Sequence, residues 1–179
     1  MALACALFVA PAAPAELEGV KLPDQWTLAG RTLVLNGYGV RTYSIFRVNV
    51  YVAGLYLAAR EADAERILGS AEPRVFHMQF KRAIGRDDTL TAWDYAFEKN
   101  CVGSCRLPGD RIEAFKALIP ASRSGETQTY IFHADRVDIL GNGKVLGTVP
   151  GADFSRLLLS TLLGPVPPTP ELKRALLGN

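Results

Sequence analysis

The sequence predicts an α+β domain, an antiparallel sheet with its helices gathered on one face. Three observations carry that reading. Apolar residues alternate with period two from Val40 to Leu57 and from Val75 to Lys81, and three further strand-like runs follow at 127–133, 137–140 and 144–149. They recur with helical spacing in separate blocks, from Asp87 to Asn100, from Asp110 to Ile119 and from Asp153 to Leu177. Gly141-Asn142-Gly143 places a positive-φ turn between two strand patterns, an antiparallel hairpin signal. Strands and helices come in blocks rather than in βαβ alternation, which separates α+β from α/β.

The elements follow in order. Thr32 to Leu35 reads as a short strand, and Asn36 to Gly39 as a glycine-rich bend before the run that ends at Leu57. Val48, Val50 and Val52 fall on one face of that run, with Arg47, Asn49 and Tyr51 on the other, so one packed and one more polar face are expected. Asp63 to Leu68 is a short helix ending on Gly69. Phe76, Met78 and Phe80 face one way in the next strand. Asp87 or Asp88 caps a helix to about Asn100, with Leu90, Trp93 and Phe97 as its buried stripe. Asp110 and Glu113 have capping-box spacing and open a helix that turns Ile112, Phe115 and Ile119 inward before Pro120. Strands at 127–133, 137–140 and 144–149 precede two closing helices, 153–163 and one capped by Thr169 ahead of Pro170.

The chain has 179 residues, 49% apolar and 21% charged, with a net charge of +2, which suits one globular domain with a substantial core. Its basic residues are scattered and no basic stripe interleaves with aromatics, so no nucleic-acid partner is expected. Residues Ala2 to Ala10 are almost purely apolar and lead to Ala13-Pro14-Ala15, an A-x-A cleavage signal. Residues 1–15 therefore read as a signal peptide and 16–179 as the domain, in a periplasmic or secreted protein. The apolar run is too short for a transmembrane span, which needs roughly 20 residues. In an oxidising compartment Cys101 and Cys105 form a small disulfide loop; otherwise they are two free thiols, and both readings stand.

Familiar catalytic signatures are missing: there is no G-x-S-x-G, no H-E-x-x-H, no P-loop and no G-x-G-x-x-G opening a helix. His77 and His133 sit in strand patterns without a second ligand at useful spacing. No cofactor is expected, and a monomer is. Arg41 and Tyr51 are the exception. On one strand their odd numbers share a face, and if a turn near Ile45 pairs the two halves they come closer still. A guanidinium beside a phenol binds an oxyanion, whether carboxylate, phenolate or enolate. The alternative is Arg41 ion-paired to an acidic residue at the sheet rim.

Gly37-Tyr38-Gly39-Val40-Arg41 followed by Tyr51-Val-Ala-Gly54-Leu-Tyr56-Leu57 resembles the signature region of the chalcone isomerase superfamily. Phe97-Glu-Lys-Asn100, Leu146-Gly-Thr-Val-Pro-Gly-Ala-Asp153, Leu159-Ser-Thr161-Leu-Leu-Gly164 and the stretch from Leu172 to Gly178 resemble later parts of it in the same order. The resemblance is to the secreted bacterial chalcone isomerase-like branch. It implies an open-faced β-sandwich, a large antiparallel sheet covered by helices with a ligand cleft between. It also implies that Arg41 holds an oxyanion, that Asn100 and Thr161 contact substrate, and that Trp93 lines the cleft where the enzymes carry their catalytic tyrosine. Tyr51 stands at the position of the enzymes' threonine. Losing one preorganised oxyanion donor costs about 100- to 1000-fold in rate. The resemblance therefore implies binding of a small amphipathic anion, a fatty acid or planar phenolic, without efficient chalcone cyclisation. The alternative is an active isomerase, an intramolecular lyase, with Tyr51 as the replacement donor.

Overall fold

The computed structural model describes residues 14–43 and 46–179. The expected signal peptide lies outside them except for Pro14 and Ala15. So does Ile45, where the turn was placed. Nine strands and five helices are described: β1 (Ala15–Leu17), β2 (Val20–Leu22), β3 (Gln25–Leu28), β4 (Arg31–Tyr43), β5 (Val48–Leu57), α1 (Ala64–Gly69), β6 (Arg74–Phe80), α2 (Arg86–Asn100), α3 (Gly109–Leu118), β7 (Thr127–Phe132), β8 (Arg136–Gly141), β9 (Lys144–Pro150), α4 (Ala152–Leu163) and α5 (Pro170–Leu176). Strands β3 to β9 form one antiparallel meander in sequence order, and β1 pairs only with β2. Consecutive strands lie side by side, the simplest un-knotted wiring. The α+β expectation holds.

All five helices pack on one face. Their apolar residues, including Phe97, Phe115, Leu158, Leu162 and Leu172, share a core with Leu55, Phe76, Phe80 and Tyr130 of the sheet. The helix α4 is buried nearly all round, with six large apolar side chains enclosed. Each contributes about 2 kcal/mol of hydrophobic stabilisation. A second cluster covers the opposite face at one end, where Val20 and Leu22 of β2 pack on Leu35, Val52 and Tyr56. This explains a departure in β5. Its alternation predicts one polar face, but from Val50 onward every residue is buried, because helices cover one side and β1–β2 the other.

Strand β4 is the larger departure. The expected bend at Asn36 to Gly39 is the middle of a thirteen-residue strand. A register shift between Leu35 and Gly37 marks a β-bulge. The side chain of Asn36 there donates to the carbonyls of Glu61 (3.0 Å) and Leu176 (2.8 Å) and accepts the Glu61 N–H (2.8 Å). A Cβ on Gly37 would lie 2.0 Å from the Ala175 carbonyl oxygen, and one on Gly39 2.8 Å from the Ala175 Cβ. These glycines are present because α5 sits directly on the strand.

Several helix ends also differ. Gly85, not Asp87 or Asp88, is the N-cap of α2, and the two carboxylates lie in its first turn, where they face the positive end of the helix dipole. Pro108 precedes α3 without a side-chain cap, so Asp110 closes no capping box. Gly69 lies inside α1, which Asp63 caps through the Glu65 and Arg66 amides. Thr169 caps α5 as predicted, accepting the Leu172 N–H at 3.1 Å. Asn142 and Gly143 have the predicted positive φ, 50° and 75°. No described helix is long and apolar enough to cross a membrane.

Candidate functional site

The site grows from the pairing of β4 with β5. Arg41 and Tyr51 are direct cross-strand partners, so their side chains leave the sheet on the same face. The Arg41 guanidinium carbon lies 5.7 Å from the centre of the Tyr51 ring, within cation–π range. The Tyr51 ring is itself held edge-on by Phe76 and Phe80, at 6.5 and 6.1 Å.

The electrostatics are unusual. Arg41 is half-buried, and its Nε is buried with no hydrogen-bond partner. Among the described residues no carboxylate comes within ion-pair distance of it, whereas other arginines, such as Arg111 with Asp153, have one. Burial pushes the Tyr51 phenol up to about 12, offset only in part by the Arg41 charge. At neutral pH it is a proton donor, not a base. No hydrogen bond to its hydroxyl exists among the described residues. Two adjacent groups thus present donors and no acceptor.

The other predicted residues do different work. Trp93, on α2, is wedged in an aromatic cluster, 5.7 Å from Phe97, 5.1 Å from Phe115 and 5.8 Å from Tyr130. It fills the layer in which a cleft was expected. The Asn100 amide donates to the carbonyls of Ala96 and Val166, both at 2.9 Å, and its oxygen accepts the Val166 N–H at 3.1 Å. It fastens the end of α2 to the segment before α5. The Thr161 hydroxyl donates to the Leu158 carbonyl of its own helix at 2.7 Å and is fully enclosed. Neither polar group faces a ligand here. Cys101 and Cys105 are joined by a disulfide.

Tyr130 is a neighbour that the sequence reading missed. Its phenol is raised by burial and further by the proximity of Tyr51, and its hydroxyl donates to Gln128 at 2.8 Å. The signal was Gln128 and Tyr130, two apart and so on one face of the strand, ahead of Phe132. His77 and His133 behave as structural residues. Burial lowers His77 to about 4 while one ring nitrogen meets the Thr129 hydroxyl at 2.8 Å, and His133 pairs with Asp138 at 2.8 Å. Among the described residues no group of three or more His, Cys, Asp or Glu could hold a metal ion.

Two cavities of about 530 and about 220 Å³ stand out. The larger opens between β4 and the C-terminus, around Asn36, Tyr38, Arg60 and Asn179; the smaller surrounds Arg60, Arg66 and Arg74 near α1. Neither is lined by Arg41 or Tyr51. The Tyr51 ring of the candidate site lies against the Phe76 and Phe80 rings, with the Arg41 guanidinium over it.

A family model described as chalcone isomerase-like matches residues 14–178. Among solved structures, a fatty-acid binding protein from Arabidopsis thaliana superimposes with a TM-score of 0.70 at 14% sequence identity, over 89% of this chain and 92% of that one. No curated protein matches the sequence.

Proposed function

The chain belongs to the chalcone isomerase-like family, and from that premise we propose that it binds a small amphipathic anion, a fatty acid or planar phenolic, rather than cyclising chalcones efficiently. One observation carries the reading: the Arg41–Tyr51 pair offers a cation and a neutral phenol with no acceptor among the described residues. A half-buried guanidinium lacking a counter-charge is stabilised when an anion arrives, and charge-assisted hydrogen bonds are about twice as strong as neutral ones. The fatty-acid binding activity of the Arabidopsis neighbour supports a carboxylate as that anion.

The head group sits on Arg41 and Tyr51. The tail takes the space between sheet and helices now filled by rings, chief among them the half-buried Trp93. Cyclisation is disfavoured because Tyr51 and Trp93 replace the enzymes' enolate-stabilising pair, while Asn100 and Thr161 spend their polar groups internally. The apolar N-terminus and the Cys101–Cys105 disulfide support action in an oxidising compartment, periplasmic or extracellular.

Titration of the purified protein with dodecanoate and palmitate, followed by calorimetry and native mass spectrometry, tests the proposal. One equivalent is expected to bind, and Arg41→Ala should remove it. Equal binding by wild type and variant, or none by either, refutes the reading. Chalcone absorbance falling faster than in buffer, with a Tyr51→Phe variant inert, would favour the isomerase instead.

A further inference from the structure

The strand pair that carries Arg41 and Tyr51 ends in exposed apolar residues, and so does the β8–β9 hairpin at the same end of the sheet. The antiparallel register brings residue 43 and the segments 46–48, 81–82, 123–126 and 142–146 to one end. Nine large apolar side chains are exposed among the described residues, and five of them lie here: Tyr43, Phe46, Val48, Val145 and Leu146, with Phe46 82% and Val145 68% accessible. A monomeric surface rarely concentrates apolar groups without a use for them.

The charge at this end is as one-sided as the hydrophobicity. The same segments carry Arg47, Lys81, Arg82, Arg123 and Lys144 against one acidic residue, Glu126, in a chain whose overall excess is only +2. The Glu126 carboxylate accepts the Arg123 N–H of the same turn at 2.8 Å. The nearest turn of the β1–β2 pair adds Glu18, whose carbonyl takes the Lys81 ammonium.

We infer that this end of the sheet docks on an anionic lipid bilayer. The apolar residues do not form one groove for a partner's side chain. They stand at two tips, the β4–β5 and β8–β9 ends, separated by roughly 15–20 Å of sheet at about 4.8 Å per strand. Cations lie between them. A bilayer meets such a pattern because its surface deforms: aromatic and aliphatic tips enter the boundary between head groups and acyl chains, and the basic residues meet anionic phosphates. Arg41 lies two residues inside Tyr43, roughly 7 Å along the strand. Under the ligand reading given above, on which this clause rests, an amphipathic anion passes between the bilayer and Arg41 without crossing bulk water.

Co-sedimentation of the full chain with lipid vesicles tests the inference. The protein should pellet with phosphatidylglycerol-containing vesicles, far less with pure phosphatidylcholine, and less again as salt rises. Phe46→Asp combined with Val145→Asp should lower partition at least tenfold. Arg47→Gln combined with Lys144→Gln should lower it by about 25-fold, roughly fivefold per cation removed. All four positions are exposed, so thermal midpoints and dodecanoate affinity in solution should not change. Wild type that stays in the supernatant, or variants that pellet as well as wild type, overturns the inference. So does a wild-type dimer that Phe46→Asp converts to monomer, which would assign the face to a second copy. If Arg41→Ala leaves dodecanoate affinity intact while vesicle binding persists, the ligand reading fails and the docking surface stands.

Discussion

Arg41 and Arg74 are both arginines set against apolar strands, and each has an Nε that is buried without a partner. They differ in what the rest of the guanidinium meets. Arg74 is the deeper, 4% accessible, and burial lowers its pKa. Yet it donates to the carbonyls of Ile67 at 2.9 Å and Ser70 at 2.6 Å, closing the end of α1, whose dipole favours a cation. Arg41 is shallower, lies over the Tyr51 ring, and has no hydrogen-bond or ion-pair partner among the described residues. Depth alone therefore does not mark a binding site. A guanidinium that finishes a helix serves the fold; one left with donors and no acceptor among the described residues is the one we propose for a ligand.

Substitutions sharpen or break this contrast. Arg74→Ala strands the Ser70 carbonyl, leaves the Ile67 carbonyl only the Ser70 N–H, and removes two charge-assisted bonds, so chemical denaturation should show a loss of about 3 kcal/mol with ligand affinity per folded molecule unchanged. A stability change under about 0.5 kcal/mol would erase the distinction. Arg41→Ala should do the reverse, lowering dodecanoate affinity about 100-fold while the denaturation midpoint stays put or rises, since no protein acceptor is abandoned. Tyr51→Phe removes one neutral hydrogen bond and should weaken binding only about fivefold by calorimetry.

The smallest effect is in pH. The folded Tyr51 phenol titrates at about 12, above its ordinary value near 10. A raised folded value means that its contribution is complete below pH 10 and is lost as pH climbs towards 12. Affinity should therefore stay flat from pH 7 to 10 and fall beyond, as a phenolate comes to repel the bound carboxylate. A step centred at the ordinary tyrosine value would show that the phenol stands in water.

Local chemistry explains which parts were legible in the sequence. The Asn142-Gly143 turn and the Thr169-Pro170 cap are written in adjacent residues, and both formed as read. Arg41 and Tyr51 were found because a cation in a strand pattern is conspicuous. What was not legible depends on distant partners. Gly37 and Gly39 look like a bend, and only α5, some 140 residues on, shows that they make room in a continuous, bulged strand. The surroundings of Asn100 and Trp93 are likewise set from afar, by Val166 for the one and by Phe115 and Tyr130 for the other. Asp87 and Asp88 were good capping candidates displaced by Gly85, whose extended backbone starts α2 earlier.

The seating of α5 on Gly37 and Gly39 also orders events during folding. Strands β4 and β5 are neighbours in sequence and pair over a short loop, whereas the trough over the two glycines closes only when Leu172, Ala175 and Leu176 arrive from far along the chain. Closing that contact fixes a long loop, so it is expected among the late steps by which the sheet gains its cover.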